Sequence, residues 1–286
     1  MRARIQIIGR QLLTLVALCL SGGLLSASLV RFAPGYGVDE RELDPRLSQA
    51  SVEAIRNSHR LKGGLLSYYG HYLARALQGD FGRSEWLERP VSLLIKERFP
   101  VTARSVVLGV TLAWATALGI SLAGRFFRGF FLDISGTLAS SVLIALPTAV
   151  IAVFSVYLRA PAFLAIAVVM FPKLFRYLRN LLADAYAQPY ILAARSRGIG
   201  QTRILFQHVL PLASPALFAL FGVSLSMAFG AAIPIEALCD SPGVGQLAWQ
   251  AALNRDLPLI MNLTLLITLI TVAANLLANV AHERAL

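Results

Sequence analysis

Long apolar runs without a charged side chain are the feature that most constrains this sequence. Several of them reach about 20 residues, which is enough for a helix to cross the hydrocarbon core of a bilayer. The chain of 286 residues is 57% hydrophobic and only 14% charged, whereas a soluble domain carries about 25% charged residues. Much of its surface must therefore face something other than water. The sequence predicts an all-α polytopic membrane protein.

We expect six transmembrane helices. The first is the run "QLLTLVALCLSGGLLSASLV", which we interpret as a retained helix, with a cleaved signal as the alternative. Thr102 is predicted to cap the N-terminus of the second span, and Pro147 interrupts the third. The fourth begins near Pro161 and crosses only if Lys173 and Arg176 extend their charges to the interface. The five spans after the first cover residues 102–124, 132–157, 161–180, 212–235 and 259–280.

Basic residues in the short loops predict the orientation of the spans. Eleven lie at the N-terminus and in the second-to-third and fourth-to-fifth connections, against only Arg159 and Arg255 in the short loops opposite. Because short cytoplasmic loops carry the excess of Lys and Arg, both termini are expected in the cytoplasm.

The sequence divides into three regions. Residues 1–30 hold the N-terminus and first helix, 31–101 form an external segment, and 102–286 form the transmembrane core. Helical spacing of apolar residues in the external segment predicts amphipathic helices. One of them, "PVSLLIKERFP", places Val91, Leu94, Ile95 and Phe99 on a single stripe.

Motifs for catalysis are absent from the sequence. It contains no GxxxxGK[ST], HExxH, GxSxG or EF-hand loop, and its four histidines form no ligand pair. We therefore expect no catalytic residue, no metal site and no cofactor bound by this chain. The net charge of +11 lies beside the apolar runs, which favours a membrane surface over nucleic acid. No predicted span has a charge near its centre, which disfavours a proton- or ion-coupled carrier.

The connection over residues 184–211 is too long to be a simple loop between packed helices. In "YILAARSRGIGQTRILFQHVLP" we expect a short helix from Tyr190 to Arg197, with Pro189 in its first turn and Gly198 as its stop. Thr202 is predicted to cap a second short helix that ends before Pro211. An interfacial helix held by anionic lipid is the alternative interpretation.

This connection resembles the cytoplasmic-loop signature of ABC-importer permeases, which reads Glu-Ala-Ala, three residues, Gly, nine residues, Ile-x-Leu-Pro. Ala193-Ala194, Gly198 and Leu210-Pro211 fall on that spacing, with Leu192 in place of the Glu and His208 in place of the Ile. The segments "SVEAIRNSHRLKGGLLSYYGHYLARALQGDFGRS" and "IEALCDSPGVGQLAWQAALNRDLPLI" are similar to those of the B-type subunit in the dipeptide, oligopeptide and nickel branch.

The resemblance implies a permease subunit of an ATP-driven importer in the inner (plasma) membrane of a bacterial cell, in which a coupling helix docks into a separate ATPase. The residues it implies for ATPase coupling are Tyr190, Ala193, Ala194, Arg195, Arg197, Gly198, His208, Leu210 and Pro211. The residues it implies for external receptor docking or gating are Gly79, Asp80, Phe81, Gly82, Glu236, Pro242, Gly243, Gly245, Arg255, Asp256 and Pro258.

The implied partners are ATP-binding subunits, a second permease subunit, an extracytoplasmic substrate-binding protein and the lipid bilayer, but no nucleic acid. ATP and Mg would be bound by the partner subunits. Peptides are the solute that the resemblance implies, with nickel chelates and other small solutes as alternatives. A secondary carrier or channel acting without an ATPase is the alternative function, and a membrane scaffold that transports nothing is a third.

Overall fold

The described part of the chain is helical apart from short turns. The computed structural model describes residues 65–126 and 130–285, together with 17, 20–25 and 28. Within these ranges extended pairing is limited to one isolated bridge, between Arg83 and Pro90. This confirms the all-α fold class. The α-helices from residue 65 onward are α1 (Leu65–Leu77), α2 (Val91–Phe126), α3 (Phe130–Ala145), α4 (Thr148–Tyr157), α5 (Ala162–Tyr186), α6 (Pro189–Ser196), α7 (Gln201–Ile204), α8 (Leu210–Leu238), α9 (Val244–Leu253) and α10 (Leu257–Ala285).

Three stretches of helix are long and apolar enough to cross a membrane: Val91–Gly124, Gln201–Leu238 and Leu257–Leu276. A fourth candidate is the pair Phe131–Ala145 and Thr148–Tyr157, whose two parts are bent by 102°. Most of the predicted first span, the external segment up to residue 64 and the loop cation Arg128 lie outside the described residues. The count of six spans stays a prediction.

The second span begins earlier than the sequence suggested. Helix α2 runs through Pro100 without a break, so Thr102 lies inside the helix and the N-cap prediction is wrong. The amphipathic helix expected before it is the first part of α2, and Val91 and Leu94 of its stripe are buried. Proline is tolerated because the backbone groups it leaves free can be satisfied by neighbouring helices and side chains.

Pro147 divides the third span instead of merely interrupting it. Helix α3 ends at Ala145 and α4 begins at Thr148, with Pro147 in an extended conformation (φ −59°, ψ 142°) as the N-cap of α4. Proline fixes its own φ and keeps the residue before it out of the helical region, so the chain turns there. The expectation of one helix from 132 to 157 is corrected to a sharply bent pair.

The predicted fourth span lies in helix α5, which is longer than expected. Helix α5 continues six residues beyond the predicted end at 180, to Tyr186, and has 25 residues. Counted from Ala162, Lys173 is the twelfth of them. Helix α5 is not among the described stretches that are long and apolar enough to cross a membrane, so the expectation that no span has a charge near its centre stays a prediction.

The second half of the 184–211 connection is continuous with the fifth span. Helix α7 begins after Gly200, with no side-chain cap, so Thr202 is not its N-cap. It passes through a π-helical segment, Leu205–Val209, into α8. Pro211 therefore does not end a helix. It has no N–H to donate to the preceding turn, and wide π-helical turns are where a helix accommodates such an irregularity.

The described residues form two compact units. The first contains those up to Glu97 together with Ala248–Leu269, and the second contains Arg98–Leu247 with those from Ile270 onward. A small apolar cluster of Tyr69, Leu257 and Met261 lies inside the first unit.

The core of the second unit is built on close contacts between helices. Gly109 of α2 lies so near α5 that a Cβ there would be 2.7 Å from the Ile166 side chain. Gly136 of α3 lies against the ring of Phe175, where a Cβ would be 2.6 Å from the ring. Such small residues let helix backbones approach closely, as is typical of helix packing in membranes.

Candidate functional site

Helix α6 has the start and stop that the sequence predicted. Pro189 occupies its first turn after the extended Gln188, and Gly198 follows its C-terminal cap with φ +75°. The Gly198 N–H donates to the Arg195 carbonyl at 3.0 Å, and the Ile199 N–H donates to the Ala194 carbonyl at 3.2 Å. These two bonds form a Schellman motif, which satisfies carbonyls left free at the end of the helix. The prediction of a short, well-terminated helix is confirmed.

One face of α6 packs against its own chain. Ile191 and Ala194 are buried, and they join an apolar cluster that includes Leu182 of α5, Ile204 of α7 and Val209 of the π segment. The resemblance implied both Ala193 and Ala194 for ATPase coupling. Ala194 is only 6% exposed, so of these two alanines only the exposed Ala193 is open to a partner. Two adjacent residues on a helix point in different directions, so Ala193 and Ala194 do not share one face.

The other face of α6 is open. Tyr190 and Leu192 are 46% and 57% exposed, and the arginines at 195 and 197 are exposed as well. The Arg195 guanidinium lies 5.4 Å from the centre of the Tyr186 ring. A face that combines exposed apolar side chains with cations beside an anchored face can bind another protein.

The remaining predicted coupling residues lie after α7. His208 is half-buried in the π segment, Leu210 is half-buried at the start of α8, and Pro211 is exposed. His208 and Leu210 offer a partner less of their surface than α6 does.

Glu236 is not a docking residue. The sequence placed it in an external loop, but it lies inside α8 and its exposure is 0%. Its Oε2 accepts hydrogen bonds from the Thr102 hydroxyl at 3.0 Å and from the Gly245 N–H at 2.8 Å. The Thr102 hydroxyl also accepts the Val244 N–H at 2.7 Å. Glu236 and Thr102 therefore hold the start of α9 in place.

Neither glycine of the "PGVG" segment could carry a side chain without displacing its neighbours. A Cβ on Gly243 would collide with the Glu236 carboxyl, and one on Gly245 would be 2.8 Å from the Ala232 carbonyl oxygen. Both glycines are buried, whereas Pro242 between α8 and α9 is exposed. Of the predicted docking residues in this segment, only Pro242 is available to a partner.

Asp256 has a similar buried role inside the first unit. Its Oδ1 accepts the Leu259 N–H at 3.1 Å, which makes it the N-cap of α10. Its Oδ2 accepts the Ser84 hydroxyl and, at 3.1 Å, the Trp86 N–H. Asp256 is 1% exposed, so its prediction as a docking residue is corrected to an anchor between the Ser84 loop and α10.

Asn262 anchors the neighbouring turn. Its amide nitrogen donates to the Phe81 carbonyl at 2.9 Å and to the Pro258 carbonyl at 2.7 Å. Its oxygen accepts the Tyr72 hydroxyl at 2.8 Å. Its role in fixing the Gly-Asp-Phe-Gly turn was not predicted from the sequence.

The Gly-Asp-Phe-Gly turn itself is open to solvent. Gly79, Asp80 and Phe81 are exposed, and Gly82 is half-buried. The Gly82 N–H donates to Asp80, and Arg75 forms an ion pair with it at 2.6 Å. These two interactions lower the pKa of the Asp80 carboxyl below its usual value. In the same unit, Arg255 is exposed and has a left-handed backbone (φ +54°), while Pro258 is half-buried.

A cleft between α5 and α8 was not predicted. Lys173 and Tyr177 lie along it on the α5 side. Closer to the C-terminal end of α5, Arg179 forms a two-point ion pair with Asp133 of α3, with both contacts between 2.5 and 2.6 Å. The signal in the sequence was Lys173 itself, which had been assigned to a helix end.

This fold, with its membrane-length helices and an anchored short helix that leaves one face open, is that of a polytopic membrane protein. Residues 93–284 match the family described as binding-protein-dependent transport system inner membrane component. The chain belongs to this family, and it is a multi-pass protein of the inner membrane.

Curated relatives match nearly the whole chain. An oligopeptide transport system permease protein, AppB, from Bacillus subtilis is 28% identical over 305 residues, covering 96% of this chain and 95% of the relative. A putative peptide permease protein from Brucella suis is 27% identical and covers 89% of each chain. A probable peptide ABC transporter permease from Sinorhizobium fredii is 25% identical and covers 96% and 95%.

A solved structure shares the fold. It is one of the inward-facing conformations of the MetNI methionine ABC transporter, with a TM-score of 0.56 and 17% identity. The match covers 66% of this chain and 97% of that one. At this identity the likeness shows the fold alone.

Proposed function

We propose that this chain is the permease subunit of an ATP-driven importer of peptides or a related small solute. The open face of α6 is the observation that carries the proposal. Helix α6 is held in place by its buried face and by a complete C-terminal cap, so a force on its open face moves it as a rigid body. A switch between two states needs an element of this kind, coupled to both states. Membership of the family and the printed names of the relatives support the choice of solute class.

In this proposal α6 docks on a separate ATP-binding subunit in the cytoplasm. Tyr190 and Leu192 supply apolar contact, and the arginines at 195 and 197 face acidic groups on the partner. ATP and Mg bind to the partner, which hydrolyses ATP, and this chain carries no catalytic residue. A second permease subunit, identical or different, completes the path, and both termini of this chain lie in the cytoplasm.

An external substrate-binding protein would dock on exposed residues only. The structure reduces the predicted set, because Glu236, Gly243, Gly245 and Asp256 are buried. The residues that remain exposed are Gly79, Asp80, Phe81, Pro242 and Arg255.

Two adjacent alanines give a matched test. Ala193→Trp places a large ring on the open face of α6, where it blocks docking but leaves the chain's own packing intact. We expect wild-type unfolding, loss of the co-purifying ATPase and at least a tenfold drop in ATP-driven peptide uptake. Ala194→Trp forces the same ring into a packed cluster, so it should lower the stability of the chain itself. Wild-type uptake by Ala193→Trp would refute the docking of α6.

A carrier acting alone is the second candidate. The objection to it from the sequence is that no predicted span carries a charge near its centre, where coupling to protons or ions is made. The two functions differ in one measurement on purified protein in liposomes. Peptide uptake by this chain alone, without ATP or an ATPase subunit, would support the carrier and contradict the importer.

A further inference from the structure

The cleft between α5 and α8 is a defined space in the second unit. It has a volume of about 250 Å³ and is walled by residues of these two helices. The walls are apolar except at a few positions. The lining residues are Met170, Lys173, Leu174, Tyr177, Ala219, Leu220, Val223, Ser224 and Met227.

Lys173 brings a positive charge to the wall of this cleft. It is the twelfth of the 25 residues of α5, so it lies about 17 Å along the helix from Ala162 at 1.5 Å per residue. A charged side chain that lines a cavity of a membrane protein marks a candidate pathway for substrates or ions. Lys173 is exposed on the cleft rather than packed.

Neither polar side chain of the α5 wall is used by the described chain. Lys173 and Tyr177 are four residues apart, so they lie on the same side of α5 one turn from each other. Neither forms a hydrogen bond or ion pair with any residue of the described ranges. Asp133, the acidic residue on the neighbouring helix α3, is already held at two points by Arg179.

Ser224 on the opposite wall is not a free donor. Its hydroxyl donates to the Phe221 carbonyl at 2.7 Å and accepts the Trp114 indole N–H at 3.0 Å. The cleft therefore offers one ammonium and one phenolic hydroxyl from α5 among otherwise apolar walls. An anion that enters it has both as partners, and carboxylates prefer such charged donors.

The apolar walls suit a ligand whose side chains vary. Met170 and Met227 line the cleft from the two helices. Methionine is flexible and polarisable, so it adapts to irregular apolar groups. Leu220 and Val223 extend this apolar surface on α8. A carboxylate attached to a variable apolar side chain is the chemistry of a peptide C-terminus.

We propose that the α5–α8 cleft binds the C-terminal carboxylate of a peptide in transit, with Lys173 as the anion-binding group and Tyr177 as a second donor. The inference rests on the proposed function and assigns part of its substrate path. A lipid headgroup or an acidic residue of the second permease subunit would meet the same ammonium, and the experiment separates these sources.

The test compares two radiolabelled alanine-leucine pentapeptides, one with a free C-terminal carboxylate and one amidated. Uptake is measured in proteoliposomes that hold the complete importer, for the wild type and for Lys173→Gln, Lys173→Arg and Tyr177→Phe. Lys173→Gln should lower the acid-to-amide uptake ratio about tenfold, since a charged hydrogen bond is lost. Tyr177→Phe should lower it about threefold, and Lys173→Arg should keep most of it. Lys96→Gln, which removes an exposed lysine outside the cleft, is the control and should leave the ratio unchanged.

Other outcomes overturn the inference in distinguishable ways. If both peptides enter with ATP and Lys173→Gln keeps the wild-type ratio, the cleft assignment is wrong and the proposed function stands. If neither peptide enters the proteoliposomes, the cleft assignment and the proposed function are both wrong. An equal effect on the two peptides that follows the anionic lipid content assigns Lys173 to a headgroup. A zero-length cross-link from Lys173 to the second permease subunit, formed without peptide, assigns it to that interface.

Discussion

The Thr102 hydroxyl donates to the buried Glu236 carboxylate at 3.0 Å, across 134 positions of sequence. The same hydroxyl accepts the Val244 N–H. One side chain thus joins helix α2, helix α8 and the first residue of α9. Loss of this hydroxyl should lower the stability of the chain, because its removal leaves a buried carboxylate oxygen and a buried N–H with fewer hydrogen-bond partners.

Thr102→Val should destabilise the chain by about 1–3 kcal/mol per buried group left without its partner. Thr102→Ser keeps the hydroxyl and should restore most of the loss. The measurement is thermal or denaturant unfolding of the purified protein in detergent, followed by tryptophan fluorescence.

The control is Thr116→Val on the same helix. The Thr116 hydroxyl bonds only to carbonyls of its own helix, those of Leu112 and Ala113, and the residue is exposed. Its replacement should change stability by no more than about 0.5 kcal/mol. Equal effects of the two valine substitutions would show that the bond between Thr102 and Glu236 contributes nothing measurable.

Gly198 and Gly200 test the end of α6. Gly198 has φ +75° and Gly200 has φ −63°, and an added Cβ would meet nothing within 4 Å at either position. Gly198→Ala should therefore cost about 1–2 kcal/mol through backbone strain alone, whereas Gly200→Ala should cost nothing. Urea unfolding of the two variants in detergent compares them directly, and a Gly200→Ala loss as large as that of Gly198→Ala would contradict the left-handed cap.

Asp256→Ala tests the anchor of the first unit. The substitution removes the N-cap of α10, worth about 1 kcal/mol, and leaves the Ser84 hydroxyl and the Trp86 N–H without their acceptor. We expect a total loss of about 2–4 kcal/mol.

Asp184→Ala is the matched control, since Asp184 is exposed on α5 and should tolerate the change. Protease sensitivity of the Ser84 loop, mapped by mass spectrometry, gives a second measurement. An unaltered cleavage pattern and an unaltered midpoint in Asp256→Ala would show that the carboxylate does not hold this loop.

Local patterns predicted the elements that depend on neighbours in sequence. The short helix α6 follows from Pro189 at its start and Gly198 at its end, because these residues set backbone angles without help from the rest of the fold. The family resemblance followed from the same kind of local spacing, and the match over residues 93–284 confirms it.

The predictions failed for residues whose role depends on a contact with a residue distant in sequence. Thr102 looks like an N-cap because it follows Pro100, yet Glu236 and Val244 use its hydroxyl inside a continuous helix. Glu236 looks like a loop residue near an exposed surface, yet two glycines nine or fewer positions away let the chain close over it. No local pattern carries that information.

Apolar runs, proline positions and glycine stops determined by themselves that this chain is a helical membrane protein with a short, capped helix before its fifth predicted span. Hydrophobicity and backbone angles are properties of each residue and its near neighbours, so sequence is sufficient for them. Only the tertiary structure decided that Ala193 is open while Ala194 is buried, and that Lys173 faces a cleft at the middle of α5. Burial depends on which distant helices come together, because each contact is made between residues far apart in the chain.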